Sequence, residues 1–334
     1  MEQEIICIDI LFDELLHLII TYCSDLSKSV LFLTSKRFQK LIGNNKKNKN
    51  IICESAARKG YLNILQWARY INCDWDVLTC RNAATNGRLE VLKYAHENGC
   101  PWDKYTCAYA AGNGDLEMLK WAHENGCPWD EYTCAYAAKN GHLEILKWAV
   151  LNGCPWSSYI NHWDKNVCIC AACYGHIEVI KWGHENGCKW NEIICYNAAF
   201  YGQFETLKWL RENGCPWNEG TCSEAARGGH LEILKWAREN GCPWNSWVCA
   251  HAAGNGHFEI LKWARENGCD WDEETCEYAA NGGHLEILKW LRMGLWYLYW
   301  CCKEWAFRSF EMGLGKWLCP KQNVMYWIGK KSWV

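Results

Sequence analysis

Several features that would settle a function quickly are missing from this sequence. No uninterrupted apolar run reaches the roughly 18 residues a membrane helix needs, so no membrane span is expected. The opening stretch MEQEIICIDILFDELLHLII carries acids among its apolar residues and no basic start, so it does not read as a signal peptide. Neither charge sign dominates: 35 Lys and Arg face 38 Asp and Glu, a net charge of −3. That balance makes no electrostatic case for nucleic acid or an anionic membrane. A glycine-rich phosphate loop, a nucleophile elbow and an HExxH helix are absent. The expectation is a protein that is not an enzyme, with no cofactor, no metal, no nucleic-acid partner and no membrane partner.

Tryptophan and cysteine are abundant instead, with 24 of each. That many cysteines would suit a secreted disulfide scaffold. A chain of 334 residues, half of them apolar, can bury a core without such staples. A reducing, cytoplasmic setting therefore fits better.

The chain repeats itself. The cysteine of an NGC-type turn falls at positions 73, 100, 127, 154, 188, 215, 242 and 269, always 27 residues apart except for one interval of 34. The long interval holds a seven-residue insertion within SSYINHWDKNV. An Ala-Ala pair marks nine units, from Ala56 to Ala279. Each unit reads as two short helices. In one of them EYTCAYAAKN forms the first, with Asp130 or a neighbour able to cap it and Gly141 ending it. HLEILKWAV forms the second, with Leu143, Ile145, Leu146 and Ala149 on a broad apolar face. Such pairs must stack on neighbours to bury both faces.

The segment TCAYAAKNGHLEILKWAVLNGCPWD resembles an ankyrin repeat, through Ala137, Ala138, Gly141, His142, Ile145 and Gly153. The resemblance covers about residues 53–291 and implies an all-α, helix-turn-helix solenoid preceded by a small helical segment. The unit has 27 residues against the usual ~33, so tight turns are expected where ankyrins carry β-hairpin fingers. Trp-rich arrays of this length resemble ankyrin-type proteins of giant amoeba-infecting viruses and of some algae and oomycetes, which would imply host cytoplasm as the setting.

Within that pattern, Cys134 stands where the family has a buried Leu and Cys127 where it has a small buried Ala. Both read as small core hydrophobes. Trp129 should pack over the shortened turn with Trp148 beside it. A zinc site remains the alternative at the inserted unit, where His162, Cys168, Cys170, Cys173 and His176 lie close in sequence, though Cys168 and His176 are ordinary repeat positions and only three ligands are surplus. Glutamates such as Glu144 and Glu232 recur three residues before lysines such as Lys147 and Lys235. These read as a solvated ladder rather than paired catalytic carboxylates.

Recognition should use positions where the units differ. One turn position reads Leu78, Tyr105, Tyr132, Ile193, Gly220, Trp247 and Glu274. A first-helix position reads Asn82, Tyr109, Tyr136, Cys170, Asn197, Glu224, His251 and Tyr278. The ankyrin resemblance puts these rows on the concave partner-binding face. The candidate contacts are Leu78, Tyr105, Tyr109, Tyr132, Tyr136, Ile193, Asn197, Trp247, His251 and Tyr278. Tyr and Trp suit binding hot spots; drift at tolerant surface sites is the alternative.

Residues 1–42 break the repeat. ILFDELLHLIITYCSDLSKSVLFLTSKRFQKLI resembles an F-box, most clearly in its SKRF close, with Phe12 where that family usually has Pro. The resemblance implies docking to a Skp1-like adaptor of a cullin-type ubiquitin ligase through Leu11, Leu15, Leu16, Ile19, Leu33 and Phe38. A helical cap over the first repeat is the alternative. Residues 43–50, GNNKKNKN, read as a polar linker, and residues 51–292 as nine repeats with the insertion near 157–167.

After Arg292 the pattern collapses. Moved forward by one nucleotide, the codons for Trp300, Trp305 and Trp317 must spell glycine and that for Met312 tryptophan. The Gly-Trp-Gly spacing from 305 through 312 to 317 is the repeat's own. Residues 293–334 thus read as an irregular tail made by a shifted frame, with a genuine C-terminal cap as the alternative. The function expected is a protein-binding scaffold of unknown target, as a substrate adaptor for a Skp1-cullin-type ligase. The alternative is a plain ankyrin-type scaffold.

Overall fold

The computed structural model describes residues 47–70, 73–156 and 166–294. The F-box-like positions Leu11, Leu15, Leu16, Ile19, Leu33 and Phe38 lie outside the described residues, as do the insertion at 157–165 and the tail from 295.

The chain divides into two units, at Lys189 and Trp190. In the first, helices alternate as α1 (Lys47–Lys59) and α2 (Leu62–Tyr70), α3 (Val77–Thr85) and α4 (Leu89–Glu97), α5 (Lys104–Asn113) and α6 (Leu116–Glu124), α7 (Glu131–Lys139) and α8 (Leu143–Leu151), and α9 (Val167–Tyr174) and α10 (Ile177–Glu185). The second holds α11 (Glu192–Phe200) and α12 (Phe204–Glu212), α13 (Glu219–Gly228) and α14 (Leu231–Glu239), α15 (Trp247–Gly254) and α16 (Phe258–Glu266), and α17 (Glu273–Asn281) and α18 (Leu285–Gly294). Among the described residues there is no strand, so the architecture is all-helical, and tight turns connect α4 to α5, α6 to α7, α12 to α13, α14 to α15 and α16 to α17. Lys47–Asn50, assigned by sequence to a linker, form the first turn of α1.

Local chemistry explains each pair. Asp76, Asp103, Asp130, Asn191 and Asn218 each cap a first helix by accepting the N–H two residues on, at 2.8–3.2 Å. Left-handed glycines end the helices; Gly141 has φ +76°. First helices pack side by side within each unit, and each lies on the second helix of its own pair. Ala137 and Ala138 are fully buried, and their small size permits that close approach. Leu146 and Ala149 are fully buried on the second helix with Ile145 beside them, whereas Leu143 is only partly buried. Burying a leucine of this kind contributes roughly 1.5–3 kcal/mol.

The cysteines and tryptophans supply the rest of the packing. Cys134 is fully buried and Cys127 is 4% exposed. The Cys127 thiol donates to the Asp103 carbonyl at 3.5 Å, and Cys242 and Cys269 repeat the contact to Asn218 and Asn245 at 3.3 Å. Each thus ties its turn to the preceding cap. Cys107, Cys127, Cys134, Cys154, Cys195 and Cys215 are free thiols. Trp129 meets Trp148 edge-on at 6.0 Å, and Trp217–Trp236, Trp244–Trp263 and Trp271–Trp290 repeat the contact at 5.4–5.8 Å.

Candidate binding face

The first helices carry the candidate residues because their other side is committed to the core. Thr133, Cys134, Ala135, Ala137 and Ala138 are buried, which leaves Tyr132 and Tyr136 on the opposite side, half-buried. The same periodicity places Tyr105 and Tyr109 on α5. The four tyrosines form a connected group. Ring centroids are 6.2 Å apart for Tyr105–Tyr109, 5.7 Å for Tyr105–Tyr132, 5.5 Å for Tyr109–Tyr136 and 6.4 Å for Tyr132–Tyr136. A side chain at Gly112 would press on Tyr136, with an added Cβ 3.2 Å from the ring. Burial pushes the Tyr136 phenol above its ordinary pKa, so it stays neutral and able to donate.

Three cations serve this group, and sequence reasoning did not assign them. Arg81 lies 4.7 Å from the Tyr105 ring centre and pairs with Asp103 through two hydrogen bonds. Lys104 lies 5.5 Å from Tyr105 and 5.4 Å from Tyr132, and its ammonium is 2.8 Å from Asp130. Lys139 approaches Tyr136 at 6.0 Å and the exposed Tyr174 at 5.1 Å. The hydrogen bond to Asp103 raises the Arg81 pKa, and that to Asp130 raises the Lys104 pKa. Their sequence signal is faint, because each has a partner in the next repeat, 22–35 residues along.

In the second unit, Trp247, His251 and Tyr278 come together, with ring centroids 5.4–6.1 Å apart. Trp247 is 38% exposed. His251 Nδ1 lies 3.2 Å from the Ser223 carbonyl, which fixes the imidazole. Ile193 and Asn197 belong to one helix turn, where the Asn197 amide donates to the Ile193 carbonyl at 2.9 Å. Leu78 is 40% exposed on α3. Gly220, a variable position, has a steric reason: a Cβ there would lie 2.5 Å from the Tyr196 ring.

The other recurring polar residues have structural places. His176, His230, His257 and His284 each set Nε2 3.0–3.2 Å from a carbonyl oxygen of the preceding repeat. His176 is thereby held at Lys139 and Cys168 is buried in the core, as in other units. Among the described residues no three His, Cys, Asp or Glu stand together as metal ligands; His162 lies outside them. His96 and His123 stack on Trp102 and Trp129 at 3.7 and 3.8 Å. Arg211, Arg238 and Arg265 take the same place, 4.2 Å over Trp217, Trp244 and Trp271. The Glu–Lys ladder is solvated: Glu144, Glu205 and Glu232 are 75–80% exposed and each pairs with a lysine at 2.9 Å.

Comparison with known proteins agrees with this geometry. A family model described as ankyrin repeats (3 copies) matches residues 107–194, and one described as ankyrin repeats (many copies) matches residues 222–265. A comparison with curated proteins finds no match. Among the described residues no helix is long and apolar enough to cross a membrane. With paired helices, small buried alanines and glycine-ended turns on both matched stretches, residues 107–194 and 222–265 are ankyrin repeats.

Proposed function

We propose that this chain is a non-enzymatic scaffold that holds a partner protein on the outward side of its first helices. Ankyrin repeats mediate protein–protein binding, which supports the class. One observation carries the assignment of the face. The buried side of the first helices repeats almost unchanged, while the outward side changes from tyrosines in one repeat to Ile193 and Asn197, then to Trp247 and His251. Core packing fixes the first set and leaves the second free to vary, and its half-buried aromatic rings suit hot spots. The contacts are Leu78, Tyr105, Tyr109, Tyr132, Tyr136, Ile193, Asn197, Trp247, His251 and Tyr278.

The test places a photo-crosslinking amino acid in the full chain at Tyr105, Asn197 or Trp247, and for comparison at Lys208 in the exposed ladder. Adducts with a partner from the first three and not from Lys208 are expected. Equal yields at all four would remove the face.

A second reading rests on the SKRF-bearing pattern of residues 1–42: the head recruits a Skp1-like adaptor and the repeats present a target for ubiquitination. Skp1 should then co-purify with the full chain and be lost on Leu15→Asp with Leu16→Asp. No co-purification from folded protein leaves the plain scaffold.

A further inference from the structure

The chain's treatment of its own aromatic rings points to a partner chemistry. In the first unit, Arg81 and Lys104 lie against Tyr105 at 4.7 and 5.5 Å, and Lys104 also reaches Tyr132. In the second, Arg211, Arg238 and Arg265 lie 4.2 Å over turn tryptophans. The Trp247–His251–Tyr278 group has no cation over it among the described residues, although Trp247 is 38% exposed. The helix that carries Tyr278 is acidic instead. Glu274 occupies in the next repeat the place Trp247 has in its own, and Glu277 precedes Tyr278. Both glutamates are exposed, and neither has an ion pair among the described residues. The first helices of this unit carry six glutamates against one arginine, and that arginine, Arg227, is already paired with Glu224 at 3.4 Å. Those of the other unit carry seven Lys and Arg against two Glu.

We propose that Trp247, His251 and Tyr278, with Glu274 and Glu277, dock an arginine-rich segment of the partner polypeptide. This rests on the first-helix face being the binding face. Ring centroids only 5.4–6.1 Å apart leave no slot between the rings for a cation, so the group is a platform and not a cage. A flat guanidinium stacks on such a platform and pairs with a carboxylate beside it, whereas an ammonium offers neither plane nor fork. Arginine is therefore preferred to lysine.

The test is fluorescence anisotropy of a labelled peptide of alternating Arg and Ser against the full chain, with Lys-Ser and Glu-Ser peptides for comparison. The Arg-Ser peptide should bind more tightly than Lys-Ser, and Glu-Ser should not bind. Trp247→Leu, which keeps an apolar side chain and removes the ring, should weaken binding about tenfold. Glu274→Lys with Glu277→Lys should weaken it further and flatten its salt dependence. Tyr105→Ala with Tyr136→Ala should change affinity less than about twofold. No Arg-Ser binding, or unchanged affinity in Trp247→Leu, overturns the proposal. Loss on the tyrosine substitutions with Trp247→Leu unaffected also overturns it while keeping the first-helix face. The face itself falls only by the crosslinking outcome given above.

Discussion

The imidazole of His284 rests on Gly256 of the preceding repeat, with Nε2 3.1 Å from the Gly254 carbonyl oxygen. Gly256 has φ +80°, and an added Cβ would lie 2.6 Å from His284 Cε1. Gly268 has a similar φ of +82° with nothing within 4 Å. The pair separates two costs. Gly268→Ala should destabilise by about 1 kcal/mol through backbone strain alone. Gly256→Ala should cost at least about 2 kcal/mol, because the histidine must also move. Denaturant unfolding of both variants checks this; equal losses would mean the ring contact is not tight.

Thr106, Thr133 and Thr221 are fully buried, and their hydroxyl oxygens have no hydrogen-bond partner. The same place holds Ile194 and Val248 in other repeats. Thr133→Val keeps the shape and removes the stranded hydroxyl, so it should stabilise by about 1 kcal/mol. A lower unfolding midpoint in Thr133→Val would show that the hydroxyl has a partner in solution.

The buried thiols make stability depend on alkaline pH. Hydrogen bonding to Cys127, and then burial, pushes the Cys107 thiol far above its ordinary value; Cys154 and burial do the same for Cys134. Burial chiefly pushes Cys53 up to about 12. In the unfolded chain these groups titrate near ~8.5. Since the folded values are raised, the stabilisation is complete below ~8.5 and is lost as pH rises from there towards the folded values. The loss is about 1.4 kcal/mol per thiol per pH unit. Melting temperature should therefore fall between about pH 8 and about pH 10. The fall should be shallower in Cys134→Ala, and an unchanged slope there would exclude this thiol as a cause.

Lys235 and Arg238 lie on one helix and should behave differently. Lys235 pairs with the 75%-exposed Glu232, so Lys235→Ala should cost less than about 0.5 kcal/mol. Arg238 covers Trp244 at 4.2 Å and donates to the Cys242 carbonyl, so Arg238→Ala should cost about 1 kcal/mol or more. Equal costs from chemical denaturation would remove the distinction between ladder and stack.

Much of the fold could be read because its signals are short-range. Asp130 caps two residues away, Gly141 ends the helix beside it, and Ile145, Leu146 and Ala149 share one helical face. The candidate face was readable only as rows of variable positions. Nothing in those rows distinguishes the tyrosines, whose rings meet one another and carry their own cations, from Trp247 and Tyr278, which carry none among the described residues. Arg81 and Lys104 leave no local signal because each pairs with an aspartate in a different repeat from the one in which it is encoded.

The sequence by itself determined the helix-turn-helix unit, its 27-residue length and the burial of small residues along it, since these follow from propensity, capping and period within a few turns of chain. Only the tertiary structure decided which thiol meets which carbonyl, which histidine sits on which glycine and which cation covers which ring. Those contacts join residues about one repeat apart, as Cys127 to Asp103 and His284 to Gly256, and they depend on how one pair of helices is laid on the next. That placement is set by packing across the whole stacked surface, which no local stretch of sequence contains.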